Sequence, residues 1–286
     1  ASNLTAGTYN VTITDQKGCF KDTSVTVLEP DALTVDTSFQ DSVSCNGLFD
    51  GSASILGAGG NGIYSYLWSD GQTTATASNL TAGTYNVTIT DQKGCFKDTS
   101  VTVLEPDALT VDTSFQDSVS CNGLFDGSAS VLGAGGNGIY TYLWSDGQTT
   151  ATASNLTAGT YNVTITDQKG CFKDSSVTVL EPDALLIASM SMDSASCNGV
   201  ADGTATANGI TGGNGINSFS WNTTPVQTTN PATGLAAGNY TVTVTDQKGC
   251  FTTRDTTVLE PDALLIASMS MDSASCNGVA DGTATA

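Results

Sequence analysis

The chain of 286 residues carries 28 acidic and 8 basic side chains, a formal net charge of -20, and no histidine. The charge argues against phosphate backbones and anionic membrane surfaces as partners, and the missing imidazole excludes Ser-His-Asp and Cys-His catalysis and histidine-ligated metals. Charged residues make up only 13% of the chain, so Ser, Thr, Asn and Gly supply the solvent-facing polarity, as in extracellular β-proteins rather than disordered acidic tails. No apolar run approaches the roughly 18 residues of a membrane span.

Near-copies of one 76-residue unit run through the sequence. Trp68 and Trp144, Cys45 and Cys121, Cys95 and Cys171, and Leu80 and Leu156 are each 76 apart. Cys171 to Cys250 is 79, and the three extra residues are placed around Trp221, in the segment WNTTPVQTTNPATGL. Residues 182–207 recur letter for letter as 261–286. A fixed period with insertions confined to one segment marks a tandem array in which each unit folds around its own core. The expected division is a partial repeat over 1–30, complete repeats over 31–106, 107–182 and 183–261, and a partial repeat over 262–286. An array that starts and stops within a unit is not expected to display a signal peptide.

Within 31–106 the elements follow in order. Leu33 to Phe39 alternates apolar and polar residues with period two, which predicts a strand burying the face of Leu33, Val35 and Phe39. Ser52 to Leu56 is a shorter strand. Tyr64, Tyr66 and Trp68 alternate with Ser65 and Leu67, as a buried strand face would. Thr73 to Ala77, Thr84 to Thr90 and Thr99 to Leu104 complete the unit. Turn chemistry separates them at Asn46-Gly47, Asp50-Gly51, Gly59-Gly60-Asn61-Gly62, Asp70-Gly71 and Asp91-Gln92-Lys93-Gly94. There is no helical periodicity. Short strands with a turn about every 8 to 12 residues predict an all-β fold of immunoglobulin-like sandwiches in series. Leu80-Thr81-Ala82-Gly83-Thr84-Tyr85 is similar to a tyrosine corner, and the motif recurs at Tyr9, Tyr161 and Tyr240. These tyrosines and Trp68, Trp144 and Trp221 are read as structural. The short linker Leu104 to Leu109, with its single proline, predicts end-to-end repeats and a rod.

In the third complete repeat, Leu185 to Met192 puts Met190 and Met192 on the parity opposite to that of Phe39. Either the register shifts or the core partner changes.

The order Cys45-Asn46-Gly47-Leu48-Phe49-Asp50-Gly51, a Gly-Gly turn, Tyr-x-Tyr-x-Trp, Leu-Thr-Ala-Gly-Thr-Tyr and the turn ending at Cys95 resembles the SprB repeat of Bacteroidota surface adhesins, and also PKD-type modules. The resemblance covers every complete and partial unit. It implies a stretch of a giant adhesin on the surface of a Gram-negative cell, exported by type IX secretion and serving adhesion or gliding motility, with substratum contacts made by other parts of the protein.

The cysteines, two per unit in SCNG and KGCF, read as a disulfide framework formed in an oxidising space. In an immunoglobulin-like order Cys45 and Cys95 lie at opposite ends of a module. A ten-residue strand spans roughly 33 Å, whereas bridged Cα atoms lie within about 7 Å. End-to-end stacking favours the staggered pairs Cys45–Cys171 and Cys121–Cys250; the alternative is Cys45–Cys95, Cys121–Cys171 and Cys197–Cys250.

Asp50, Asp70 and Asp91 beside turn glycines read as turn formers, with calcium at acidic loops as the sharper alternative; no other cofactor is expected. Lys93 and Lys97 read as solvated rather than as isopeptide donors. The sequons at Asn3, Asn10, Asn79, Asn86, Asn155, Asn162, Asn222 and Asn239 are expected by chance in a Thr-rich chain. Ser42, Ser118, Ser194 and Ser273, in Asp-Ser-aliphatic triplets, are similar to O-glycosylation sites of Bacteroidota. The sequence thus reads as a non-enzymatic array extending an adhesin and bearing force. The rivals are a polysaccharide-binding array gaining avidity from number and a laterally associated filament.

Overall fold

A computed structural model describes residues 1–286, apart from the side chains of Thr37 and Thr113, which lie outside the described set. Thr37 belongs to the alternating run Leu33 to Phe39, and its expected burial lies outside the described residues. All regular elements among the described residues are strands. The chain divides into two compact units, one of 1–113, 131–151 and 163–175, the other of 114–130, 152–162 and 176–286.

In the first unit, β1 (Gly7–Thr14) and β2 (Phe20–Val27) form an antiparallel hairpin. The first complete repeat then supplies β3 (Thr34–Asp41), β4 (Gly51–Ala58), β5 (Ser65–Trp68), β6 (Thr76–Leu80), β7 (Gly83–Thr90) and β8 (Phe96–Val103). They make two antiparallel sheets, β3-β4-β6 and β5-β7-β8. Period-two alternation sends Ala53, Ile55, Ala77 and Leu80 from one sheet, and Trp68, Val87, Ile89, Val101 and Val103 from the other, into one buried cluster with Val43. First, second and fourth strands in one sheet, third, fifth and sixth in the other, is the immunoglobulin-like connection lacking the edge strand D. In the β1–β2 hairpin the counterparts Val11, Ile13 and Val25 are 45%, 65% and 54% exposed, against 1%, 0% and 7% for Val87, Ile89 and Val101. The apolar face is therefore written into the strand, and burial comes only from a facing sheet.

The second complete repeat contains β9 (Thr110–Asp117), β10 (Gly127–Ala134), β11 (Thr141–Trp144), β12 (Thr152–Leu156), β13 (Gly159–Thr166) and β14 (Phe172–Val179), with strand orders β9-β10-β12 and β11-β13-β14. In the other unit, β15 (Leu186–Asp193), β16 (Gly203–Thr211), β17 (Ser218–Trp221), β18 (Ala232–Leu235), β19 (Gly238–Thr245) and β20 (Phe251–Val258) repeat the two sheets, again around a single core containing Trp221, Leu235 and Val242. β21 (Ser270–Asp272) and β22 (Thr283–Thr285) form a last short hairpin.

Phe39 does not join the core as alternation predicts. β3 pairs with β4 through a bulge between Val35 and Thr37, so the buried parity flips: Leu33 and Val35 pack inward, and Phe39 is 66% exposed. The flip also resolves the methionine parity. Leu185, just before β15, and Ile187 within it are buried, and the inward face then passes to Met190 and Met192, while pairing with β16 stays in unbroken register. β16 is one residue longer than β4, and Gly209, at φ +63° opposite Ala188, takes up the extra residue that β3 accommodates as a bulge. One of the three inserted residues therefore lies in this strand and not in the segment around Trp221. The strand expected at Thr73 to Ala77 runs instead from Thr76 to Leu80. Thr74 carbonyl oxygen accepts the Trp68 indole N–H at 2.8 Å, holding the preceding residues as a loop around the tryptophan.

Candidate functional site at the repeat junctions

The tyrosines close corners within each repeat. Tyr85 hydroxyl donates to Thr81 carbonyl at 3.2 Å, Tyr161 to Thr157 at 3.2 Å, Tyr240 to Ala236 at 3.0 Å and Tyr9 to Thr5 at 2.9 Å. Trp68, Trp144 and Trp221 are buried, and each indole N–H meets a loop carbonyl, of Thr74, Thr150 and Thr229. All are packing and closure residues.

The chemistry of the chain is concentrated where one repeat meets the next, and the first such junction lies wholly within the first unit. Cys45, in the turn after β3, is bonded to Cys171, in the turn before β14, with Cα atoms 5.7 Å apart. Cys121 is bonded likewise to Cys250 in the second unit, at 5.5 Å. The staggered pairs are the ones formed, and Cys45–Cys95, Cys121–Cys171 and Cys197–Cys250 are not: Cys95 and Cys197 are exposed free thiols, as are Cys19 and Cys276.

Polar contacts seat the bonded loop. Asn137 Nδ2 donates to Ser44 carbonyl at 2.8 Å and to Asp167 Oδ2 at 3.0 Å, reaching across the junction beside Cys171. Asn214 does the same to Ser120 carbonyl at 2.9 Å and Asp246 at 3.0 Å. The linkers are latched on the other side of the loop. Gly47 N–H donates to Glu105 Oε2 at 2.9 Å and Asn46 Nδ2 to Pro106 carbonyl at 3.1 Å, and Gly123, Glu181, Asn122 and Pro182 repeat both bonds. A six-residue linker tied this way has few free torsions.

Neither the crossing asparagine nor the latching glutamate was singled out by sequence reasoning. Asn61, Asn137 and Asn214 sit in Gly-Gly-Asn-Gly runs that read as turns, and Glu105 and Glu181 sit in the short linkers, where only the proline was weighed. Their recurrence at fixed positions in each unit was the available signal.

Asp91 and its counterparts Asp167 and Asp246 are the only buried carboxylates among the described residues. Asp91 Oδ2 accepts the backbone and side-chain N–H groups of Asn61, both at 2.9 Å, and Oδ1 accepts the backbone N–H groups of Lys93 and Cys95, also at 2.9 Å. The Asn61 side-chain bond above all, with the three backbone N–H groups, holds its pKa at about 2 against the upward pull of burial. For Asp167 and Asp246 burial pulls upward, and the bonds from Asn137 and Asn214 outweigh it, leaving both lowered. Gly60 is required beside this carboxylate: its φ is +59°, and a Cβ there would lie 2.8 Å from Asp91 Oδ2.

Asp50 accepts the Ser44 hydroxyl at 2.5 Å and the Ser44 N–H at 2.9 Å, which lowers its pKa, and Asp70 accepts both Gln72 N–H groups. These carboxylates shape turns. No group of three or more His, Cys, Asp or Glu side chains suited to a metal occurs among the described residues. Lys93 and Lys97 are exposed, as are Ser42, Ser118, Ser194 and Ser273.

Tandem immunoglobulin-like modules joined by inter-repeat disulfides define the class. The SprB repeat family model matches residues 37–73 and 113–149, corresponding stretches of two successive units. No curated protein matches it in sequence. Among solved structures, it is similar to a calcium-stabilised adhesin that helps an Antarctic bacterium bind ice, at 14% identity over 88% of this chain and 81% of that one, TM-score 0.40. It is also similar to three N-terminal domains of the outer capsid protein Hoc of bacteriophage RB49, at 13% identity over 81% of this chain and 100% of that one, TM-score 0.39. The eight N-terminal immunoglobulin domains of Down syndrome cell adhesion molecule align at 12% identity over 94% of this chain and 40% of that one, TM-score 0.29.

Proposed function

We propose that this segment is a non-enzymatic, load-bearing spacer of an extracellular adhesin, holding the adhesive part of the molecule away from the outer membrane of a Gram-negative cell and carrying tension during attachment or gliding. The observation that supports this most is the pair of disulfides that join two of the SCNG loops to the following repeat, Cys45–Cys171 and Cys121–Cys250. A bridge between consecutive repeats lets force pass from one to the next even when a core opens. Oxidation requires an extracytoplasmic route, consistent with type IX export. The polysaccharide-binding alternative is disfavoured by the aromatics, since Tyr64, Tyr66 and Tyr85 pack against the core and Trp68 is buried within it.

The test compares cells whose adhesin repeats are intact with cells in which every SCNG cysteine is replaced by serine. Attachment in still medium should be equal, and the serine cells should detach first under rising flow. Equal detachment would overturn the load-bearing reading. So would selective binding of the purified chain on a glycan array.

A further inference from the structure

Each junction bridge forms part of the wall of a small open bay. Beside Cys45–Cys171 the bay holds about 280 Å³ and is bounded by Asn46, Leu48, Leu109 and Phe172; beside Cys121–Cys250 it holds about 370 Å³ and is bounded by Asn122, Leu124, Leu185 and Phe251. The two sulfurs of a bridge are not equivalent there. Cys45 and Cys121 are half-buried, whereas Cys171 and Cys250 are 9% exposed. Asn137 Nδ2 lies 3.5 Å from Cys171 Sγ, and Asn214 Nδ2 lies 3.4 Å from Cys250 Sγ. The amide of Asn137 has a fixed orientation, because the same nitrogen faces two acceptors, Ser44 carbonyl and Asp167 Oδ2. Its protons serve those oxygens while the bridge is closed. Once the SCNG loop draws back, the proton given to Ser44 is released, and Cys171 Sγ is the acceptor within reach. The donor beside Cys45 Sγ is the Ser44 hydroxyl at 3.9 Å, whose proton goes to Asp50 instead. Nearby charge does not choose between the sulfurs, since Asp167 accepts Cys171 N–H on one side and Asp50 accepts Ser44 N–H on the other. Access and the amide do.

The geometry points to Cys45 and Cys121 as sites of reversible S-thiolation by a low-molecular-weight thiol, at which each junction bridge opens in one direction. A thiolate entering the bay attacks Cys45 Sγ and forms a new sulfur–sulfur bond there. The Cys45–Cys171 bond breaks with its electron pair leaving on Cys171. The Asn137 amide receives that thiolate, and solvent supplies the proton that neutralises it. One disulfide replaces another, so no separate oxidant or reductant is consumed. Cys121, Cys250 and Asn214 take the same parts at the second junction. The opened loop keeps its shape, because the bond from Gly47 N–H to Glu105 lies within its own repeat. Cys45 is thus presented for return: when the small thiol is removed, the Cys171 thiolate attacks the Cys45 sulfur and expels the adduct. Asn137 and Asn214 are positioning residues in this exchange. The inference is independent of the load-bearing reading, since exchange needs no tension.

The purified chain, its free thiols first blocked with N-ethylmaleimide, is exposed briefly to β-mercaptoethanol, an uncharged thiol that the net charge of -20 does not repel. The reaction is quenched with acid, the chain is unfolded, and each newly released thiol is alkylated with a second reagent before peptide mapping. Mercaptoethanol adducts on Cys45 should exceed those on Cys171 at least about tenfold, the scale of one hydrogen bond to a charged group added to the difference in access. Cys121 should exceed Cys250 in the same way. Asn137→Ala should lower the Cys45-to-Cys171 ratio about threefold or more, the scale of one lost hydrogen bond, and leave the Cys121-to-Cys250 ratio as it was. If that variant misfolds, the two ratios in the unaltered chain still decide. Equal adducts on the two cysteines of a bridge, a preference for Cys171 or Cys250, a ratio indifferent to Asn137→Ala, or bridges that open only when the chain unfolds would each overturn the proposal.

Discussion

Staggered bridges make a quantitative demand on how the chain extends under force. Pulled between Ala1 and Ala286 with all cysteines reduced, the path is 285 residue steps, or about 1,000 Å at full extension. Cys45–Cys171 bypasses 126 steps and Cys121–Cys250 bypasses 129. Either bridge alone leaves about 160 steps and about 560 Å. The two loops overlap between Cys121 and Cys171, however, and with both closed the shortest path runs backwards through that stretch. It is then about 130 steps long and reaches about 460 Å. The first bridge removes about 440 Å and the second only about 100 Å more. Bridges inside each repeat would instead act additively, each removing about 180 Å. The assay is single-molecule extension with handles at the termini, the free thiols alkylated, and one bridge deleted by the pair Cys121→Ser and Cys250→Ser. If the second bridge shortens the chain as much as the first, the staggered topology and the mechanical argument built on it are both wrong.

The remaining predictions concern single repeats. Tyr85→Phe removes the corner hydrogen bond to Thr81 and should lower stability by about 1 kcal/mol in denaturant titration. Trp68→Ala should cost about 3 to 5 kcal/mol, because the indole is 1% exposed and its loss leaves both a cavity and an unpaired Thr74 carbonyl. Asp91 has a folded pKa of about 2 against the ordinary aspartate value of 3.8, so its contribution is fully present above about pH 4 and fades as pH falls towards 2; Asp91→Asn should flatten the acid limb of the stability curve. Because the turn carboxylates already accept protein N–H groups, a chelator should leave the melting temperature unchanged, and a fall would restore calcium as a ligand.

The sequence exposed the strands because period-two burial is a local property, legible wherever apolar residues alternate, as in Val87 and Ile89 or Val101 and Val103. It could not expose the bulge in β3. A bulge is a property of two paired strands, and the residue opposite, Gly57, says nothing in isolation about which of Val35 and Asp36 is extra. The same limit explains Phe39 and the methionines, which were assigned faces by counting along one strand alone. The junction was partly legible. Two cysteines per unit announced a framework, and their partners followed only once a stacking of repeats was assumed, since spacing alone permits either pairing. Asn137 was hidden because its backbone role as a turn residue fully accounts for an asparagine between glycines, leaving nothing in the pattern to betray a side chain that crosses to Ser44. Cross-repeat contacts of this kind cannot be read from one unit. They are also the contacts that would hold a tandem array together under load.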